Sequence, residues 1–298
     1  MIGVDIGGSH ISSVRVLDVT KGELSGQYNT THIDISSYGQ QEVLDLWAEN
    51  IQKTIDNAAN FDGTIAIAIP GPFNYPQGIV LSHLNAKFKP IEGMNLKVEL
   101  SKRIRTCERI YFDNDAACCG LGEYYYGLHP HHDKMMAITL GSGIGSSFIS
   151  NGEIITDNNI VPEGGEVYHL PYKEKKADDY FSTRWFVRRA KEHNHTIEGV
   201  KELVKKSNEF IRESLFAEFR VNLLEFLSPI AKKFGATAII IGGNISKAWP
   251  YFGPHITSSF SRINIEVRPS IIGEKAMCLG AARSLHNYMT HEDTYLSR

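Results

Sequence analysis

The sequence predicts an α/β protein made of two halves of related topology, and three observations lead there. Apolar, strand-like runs alternate with segments of helical spacing along the whole chain. A short strand, a glycine-rich tip and a returning strand occur at residues 2–17 and again at 135–149. Between them, Ile110, Tyr111 and Phe112 read as the end of a buried strand that passes through Asp113-Asn114-Asp115 into a helix from Ala116 onward. One glycine-rich hairpin is weak evidence. Two at the same place in each half are stronger, and they suggest two loops of backbone amides offered to one anion.

The bulk properties are compatible with that reading and exclude others. At 298 residues the chain forms one large domain or two of ordinary size, and 42% hydrophobic residues support a sizeable core. A formal net charge of -3 gives no general attraction to nucleic acid or an anionic membrane. No apolar run is long enough to span a bilayer and no signal-peptide pattern follows Met1, so the cytoplasm is the expected compartment. Cys107, Cys118, Cys119 and Cys278 lack the paired spacing of a zinc knot or a disulfide framework.

Taken in order, residues 2–6 form a strand, Gly7-Gly8-Ser9-His10 a tight turn, and residues 11–17 a second strand with Ile11, Val14 and Val16 supplying bulk. Two glycines at a tip let N–H groups approach an anion, although a plain hairpin turn looks similar. A third strand covers residues 24–30. Residues 40–59 are helical, with Val43, Leu44, Trp47, Ile51 and Ile55 along one side. Residues 64–69 make a buried strand running into Pro70-Gly71-Pro72, followed by turn formers to residue 80, a short helix at 96–104 and the strand ending at Phe112. The helix after the Asp-Asn-Asp turn carries to about Tyr126. Residues 127–133 then read as a linker in which His129, His131 and His132 suggest metal ligands, but a polar hinge beside Pro130 explains them without a complete ligand set.

In the second half, residues 135–140 and 146–149 are strands around Gly141-Ser142-Gly143-Ile144-Gly145. Glu166 and His169 share one side if residues 162–169 are helical. Helices are expected over 178–189 and 198–234, the latter with apolar spacing at Leu203, Phe210, Phe219, Leu223 and Leu227. A buried strand at 236–241 leads into Gly242-Gly243-Asn244-Ile245-Ser246, which suits an adenosine or a tight strand–helix turn. The last strand is expected at 263–267. The closing helix over 274–288 contains Leu279-Gly280-Ala281-Ala282, small residues that permit close helix packing or close ligand approach.

Open α/β sheets place ligand chemistry at the carboxyl ends of strands, so the 113–115 turn is where a catalytic carboxylate belongs. The alternative is that one of the three merely caps the next helix, since Asp and Asn are preferred caps.

Together these segments resemble the ROK family (repressors, open reading frames and kinases) of the actin-like ATPase superfamily. The resemblance rests on Asp5-Ile6-Gly7-Gly8-Ser9, Pro70-Gly71-Pro72 with Gly78, Asn114-Asp115, Gly141 to Gly145, Gly165-Glu166 with His169, and Gly242 to Ser246. It implies two ribonuclease-H-like domains with a sugar and ATP meeting in a cleft between them. The first is expected over residues 1–125, with the closing helix at 284–298 packed back on it, and the second over 126–283.

By resemblance, Asp115 is the general base of an ATP-dependent hexose or N-acetylhexosamine kinase. Gly71, Asn114, Glu166 and His169 bind sugar hydroxyls. Gly7, Gly8, Ser9 and His10, with Gly141, Ser142 and Gly143, hold phosphate. Asp5 lies near Mg²⁺ through water, and Gly242, Gly243 and Asn244 hold adenosine. Many members carry a Cys-rich zinc motif after the matched His; here residues 170–177 contain no cysteine, and no zinc is expected. A later sugar-contacting Glu aligns with Asp178, Tyr168 stands where the family usually has Gly, and His10 where it often has Lys. The partners implied are a sugar and ATP, with a homodimer as in many relatives. Regulator members carry a winged-helix module ahead of the first strand, whereas this strand begins at Ile2, so DNA is not an expected partner. A sugar sensor without turnover is the alternative from another class.

Overall fold

The computed structural model describes residues 1–81, 86–127, 132–157, 159–207 and 209–296. His129 and His131 therefore lie outside the described residues. The chain folds as two compact units, residues 1–122 with 274–298, and residues 123–273. The sequence reading expected these boundaries at 125/126 and 283/284.

The first unit opens with β1 (Ile2–Gly7), β2 (His10–Asp18) and β3 (Glu23–His32), then α1 (Gln40–Asp56) and β4 (Thr64–Ile69). A small hairpin, β5 (Phe73–Asn74) and β6 (Ile79–Val80), precedes α2 (Leu96–Arg103), β7 (Arg109–Asn114) and α3 (Asp115–Gly122). Its sheet runs β3-β2-β1-β4-β7, antiparallel through the first three strands, with β4 and β7 parallel to β1. Every residue of β4 is buried, as an unalternating Thr-Ile-Ala-Ile-Ala-Ile run demands of a strand covered on both faces. One cover is α1, whose Val43, Leu44, Trp47, Ile51 and Ile55 are all buried.

The second unit repeats the plan. It contains β8 (Lys134–Leu140), β9 (Ile144–Ser150), β10 (Glu153–Ile154), the hairpin β11 (Pro171–Tyr172) and β12 (Lys175–Lys176), and helices α4 (Thr183–Glu192), α5 (Val200–Lys206) and α6 (Glu209–Phe234). Then come β13 (Ala238–Gly242), α7 (Trp249–Ser261) and β14 (Glu266–Pro269). The sheet order is β10-β9-β8-β13-β14, again an antiparallel start followed by parallel strands. Two sheets of this one plan are the ribonuclease-H-like pair. Aromatic packing fills this half, with Trp185, Phe186, Phe216, Phe219 and Phe252 buried in one cluster.

The closing helix α8 (Lys275–Leu296) returns to the first unit. A Cβ built on Gly280 would lie 2.5 Å from the carbonyl carbon of Cys118, and one on Gly122 would lie 2.8 Å from that of Ala276. The small residues at 279–282 therefore serve close packing of α8 on α3. No helix among the described residues is long and apolar enough to cross a membrane.

Four local expectations need correction. Residues 198–234 hold two helices, α5 and α6, and Phe210 is 77% exposed because it falls in the first turn of α6 rather than on its buried stripe. The last strand starts at Glu266, after a turn in which Asn264 takes φ 59°. The helix expected from 178 begins at Thr183, after a short 3-10 turn at Ala177–Asp179. Glu166 and His169 do not share a helix face: a 3-10 turn ends at Gly165 (φ 73°), and Glu166 is extended. His132, considered as a metal ligand, pairs through its ring nitrogens with Thr237 Oγ1 at 3.2 Å and Glu266 Oε2 at 3.0 Å.

Candidate active site

In the first unit the carboxyl ends of three parallel strands lie side by side. Asp5 on β1 registers with Ala68 on β4, which registers with Asp113 on β7. With strands spaced ~4.8 Å apart, the backbones of Asp5 and Asp113 are about 10 Å apart. Gly71 follows β4 in the adjoining turn, where the Gly71–Pro72 peptide is cis.

The turn from β7 to α3 divides its work among its three polar residues. Asn114 caps the helix, its Oδ1 accepting from the Ala117 N–H at 3.0 Å. Asp113 accepts from the Asn114 N–H at 2.7 Å and from the hydroxyl of Ser284 on α8, and burial pushes its carboxyl up despite those bonds. Asp115 is the first residue of α3, partly exposed, with Oδ1 accepting from the Ala116 N–H at 2.8 Å. A carboxylate there is favoured by the positive end of the helix dipole. The Asn114 amide also donates to the Tyr75 hydroxyl at 3.0 Å, and Tyr75 in turn donates to the carbonyl of Ile69 at 3.4 Å. Burial first, then the charges of Asp113, Asp115 and Asp5, hold the Cys118 thiol protonated beneath this end of the sheet.

The first glycine tip closes on the Gly7–His10 pair, with Gly8 and Ser9 as its two outer residues. Their N–H groups have no acceptor among the described residues. The His10 ring lies across Gly7, where a Cβ would sit 2.7 Å from Cε1, and Nε2 is 3.1 Å from Asp5 Oδ2. Asp5 is 4% exposed, and its Oδ1 has no protein partner among the described residues. Mg²⁺ keeps most of its waters and takes one or two carboxylates beside substrate phosphates, so Asp5 fits a water-mediated contact.

The second unit carries the matching tip. Gly141 N–H donates to Gly143 O at 2.9 Å, and Gly141 O accepts from both the N–H and the hydroxyl of Thr183, at 2.8 and 2.9 Å. The Ser142 and Gly143 N–H groups have no acceptor among the described residues. Gly242 registers with Thr139, and Gly243 (φ 82°) is pressed on Leu140, where a Cβ would be 2.7 Å from the backbone nitrogen. The backbone thus brings Gly242 and Gly243 against the base of the tip at 141–143. Asn244 is exposed at the start of the following 3-10 turn.

Glu166 and His169 are carried on one loop. Ser146 pins it to β9, its hydroxyl donating to Gly165 O at 2.7 Å and accepting from the Val167 N–H at 3.0 Å. Burial pushes the Glu166 carboxyl up, with the nearby His169 opposing. The Tyr168 ring stands edge-on to His169 at 5.2 Å. Past His169, the chain forms the β11–β12 hairpin. Tyr172 clasps it with Tyr180, Phe181 and Phe226 at ring distances of 5.0, 5.3 and 5.5 Å. Asp178, expected among the sugar-binding residues, has Oδ1 on the Ile144 N–H at 2.9 Å and Oδ2 on Arg184 at 2.5 Å. Tyr75, Ser146, Thr183 and Ser284 carry no local sequence signal and are identified by partners distant in the chain, whereas Arg184 is identified by Asp178, six residues before it.

Comparison with known proteins fits this arrangement. The chain is 29% identical over 170 residues to a glucokinase of Thermotoga maritima, covering 57% of this chain and 50% of that protein. It is 28% identical over 169 residues to an N-acetyl-D-glucosamine kinase of Salmonella typhimurium, covering 56% and 51%. The matches thus span about half the length of each relative. A ROK family glucokinase from Streptomyces griseus, solved with glucose and AMPPNP, superposes with a TM-score of 0.75 at 21% identity, over 95% of this chain and 97% of that one. The model of one family, described as the ROK family, matches residues 1–286. With its two ribonuclease-H-like sheets and paired glycine tips, the chain belongs to the ROK family.

Proposed function

We propose that the protein transfers the γ-phosphoryl group of ATP to a hydroxyl of a hexose or N-acetylhexosamine, with Asp115 as general base. The observation that carries this is the division of roles at the β7–α3 turn. Asn114 caps the helix, Asp113 bonds α8, and the partly exposed carboxylate of Asp115, with Oδ1 on the Ala116 N–H, follows them at the carboxyl end of the sheet, where open α/β folds place ligand chemistry.

Asp115 takes the proton of the sugar hydroxyl as its oxygen attacks the γ-phosphorus, and ADP leaves with the bridging oxygen. Gly71, Asn114, Glu166 and His169 orient the sugar. The amides of Gly7, Gly8 and Ser9, with His10, and those of Gly141, Ser142 and Gly143 hold the phosphates, while Gly242, Gly243 and Asn244 take the adenosine. Asp5 would hold Mg²⁺ through water, and the ion when bound neutralises phosphate charge. Such a reaction asks the protein for alignment, a base and charge neutralisation rather than covalent chemistry. The names of the matched relatives, a glucokinase and an N-acetyl-D-glucosamine kinase, support the substrate class.

The test is coupled ADP release over a panel of hexoses and N-acetylhexosamines, with thermal shift recorded for each sugar. Sugar-dependent ADP release is expected. Saturable sugar binding with no turnover on any member of the panel would overturn the kinase reading in favour of a sensor.

A further inference from the structure

We infer that Asp178 is a positioning residue for the second phosphate tip rather than a sugar ligand, with Arg184 balancing its charge. This rests on the proposed kinase function for its nucleotide consequence, but its geometry stands within the second unit alone.

The segment from Asp178 to Arg184 grips both ends of the tip. Thr183 holds Gly141 O through its N–H and its hydroxyl, and Asp178 Oδ1 holds the Ile144 N–H at 2.9 Å. Between those anchors stand the Ser142 and Gly143 amides, which have no acceptor among the described residues. The carboxylate comes so near that a Cβ on residue 143 would lie 2.5 Å from Oδ1, so glycine at 143 is what admits the brace. Asp178 is itself held, its N–H donating to Tyr168 O at 3.1 Å.

A bare carboxylate beside an anion-binding tip would repel a triphosphate. Arg184, 2.5 Å from Oδ2, cancels that charge while Oδ1 keeps the backbone bond. With one oxygen on the tip and the other on Arg184, Asp178 is committed to the phosphate side.

The experiment compares wild type, Asp178→Ala, Asp178→Asn and Arg184→Gln. In the unliganded protein, amide exchange at Ile144 accelerates in Asp178→Ala and stays slow in Asp178→Asn, whose Oδ1 still accepts. With ATP, KM for the nucleotide rises roughly tenfold in Asp178→Ala, the order a hydrogen bond to a charged group contributes, and returns toward wild type in Asp178→Asn. KM for the sugar stays within about twofold in both, since uniform sugar binding is untouched. In Arg184→Gln the ATP KM rises and the rise shrinks with added salt, which keeps the inference testable if Asp178→Ala does not fold.

A sugar KM raised in both Asp178 variants with an unchanged Ile144 exchange rate would overturn the inference. A wild type that binds no ATP and turns over no sugar would instead sink the kinase reading, while the Ile144 exchange rates still decide the brace.

Discussion

Replacing Gly280 by alanine probes how firmly α3, and with it the β7–α3 turn that carries the proposed base, is set by α8. The new Cβ would lie 2.5 Å from the carbonyl carbon of Cys118 and 2.8 Å from its Cα. Carbon atoms rest at about 3.5–4.0 Å, so the two helices must separate by about 1 Å. Both obstacles are backbone, which no rotamer change relieves. Overpacking typically costs about 1–3 kcal/mol, and a clash with backbone alone belongs at about 3 kcal/mol, of which the better helix propensity of alanine returns about 1 kcal/mol. A net loss of about 2 kcal/mol corresponds to a fall in Tm of about 4–8 °C. Because Asp115 opens α3, a shift of about 1 Å also lowers turnover, by as much as about a hundredfold. Thermal unfolding and kcat on the best sugar of the panel read the two effects. Gly26→Ala is the control, since a Cβ there meets nothing within 4 Å. A Gly280→Ala protein with unchanged or raised Tm would refute the reasoning.

Three further outcomes are expected. Tyr75→Phe removes the hydroxyl that accepts from Asn114 and donates to Ile69 O, so sugar KM rises several-fold while stability falls by about 1 kcal/mol, measured by kinetics and urea unfolding. Asp113 has a carboxyl raised by burial, so the stability it contributes is present below its unfolded pKa of about 3.8 and is lost as pH rises through the folded value. Asp113→Asn, which cannot ionise, should therefore gain Tm relative to wild type as pH increases from about 4 to 7; a constant difference would contradict this. Phe219→Ala, in the aromatic core, destabilises by about 3–5 kcal/mol, whereas Phe210→Ser stays within about 0.5 kcal/mol, as denaturant midpoints will report.

Much of the fold was legible because it is written in local periodicity. The α1 stripe, the unalternating β4 run and the two strand–glycine–strand tips each declare themselves within about twenty residues. The Asp-Asn-Asp turn was legible as a candidate but not in its division of roles, because the bond that sets Asp113 apart from Asp115 comes from Ser284 on α8, far along the chain. The use of Gly280 stayed open for the same reason: its partner Cys118 lies on another helix. Glu166 and His169 were paired for the wrong geometric reason, since Gly165 at positive φ ends the turn and Ser146, far back in the chain, holds the loop. Asp178 shows the sharpest gap. The family resemblance puts it with the sugar, while its carboxylate bonds Ile144 and Arg184, a pairing that spacing alone does not announce.

The chemistry assigned to position 115 is tested most directly by the single-turnover rate of phosphoryl transfer from ATP to the preferred sugar in Asp115→Asn. The asparagine keeps an oxygen for the Ala116 N–H, so the turn and the Tm are expected to survive. If the carboxylate takes the hydroxyl proton, the rate falls by about 10²–10⁴-fold, the usual contribution of a general base. A rate within a few-fold of wild type would show that the proton leaves by another route.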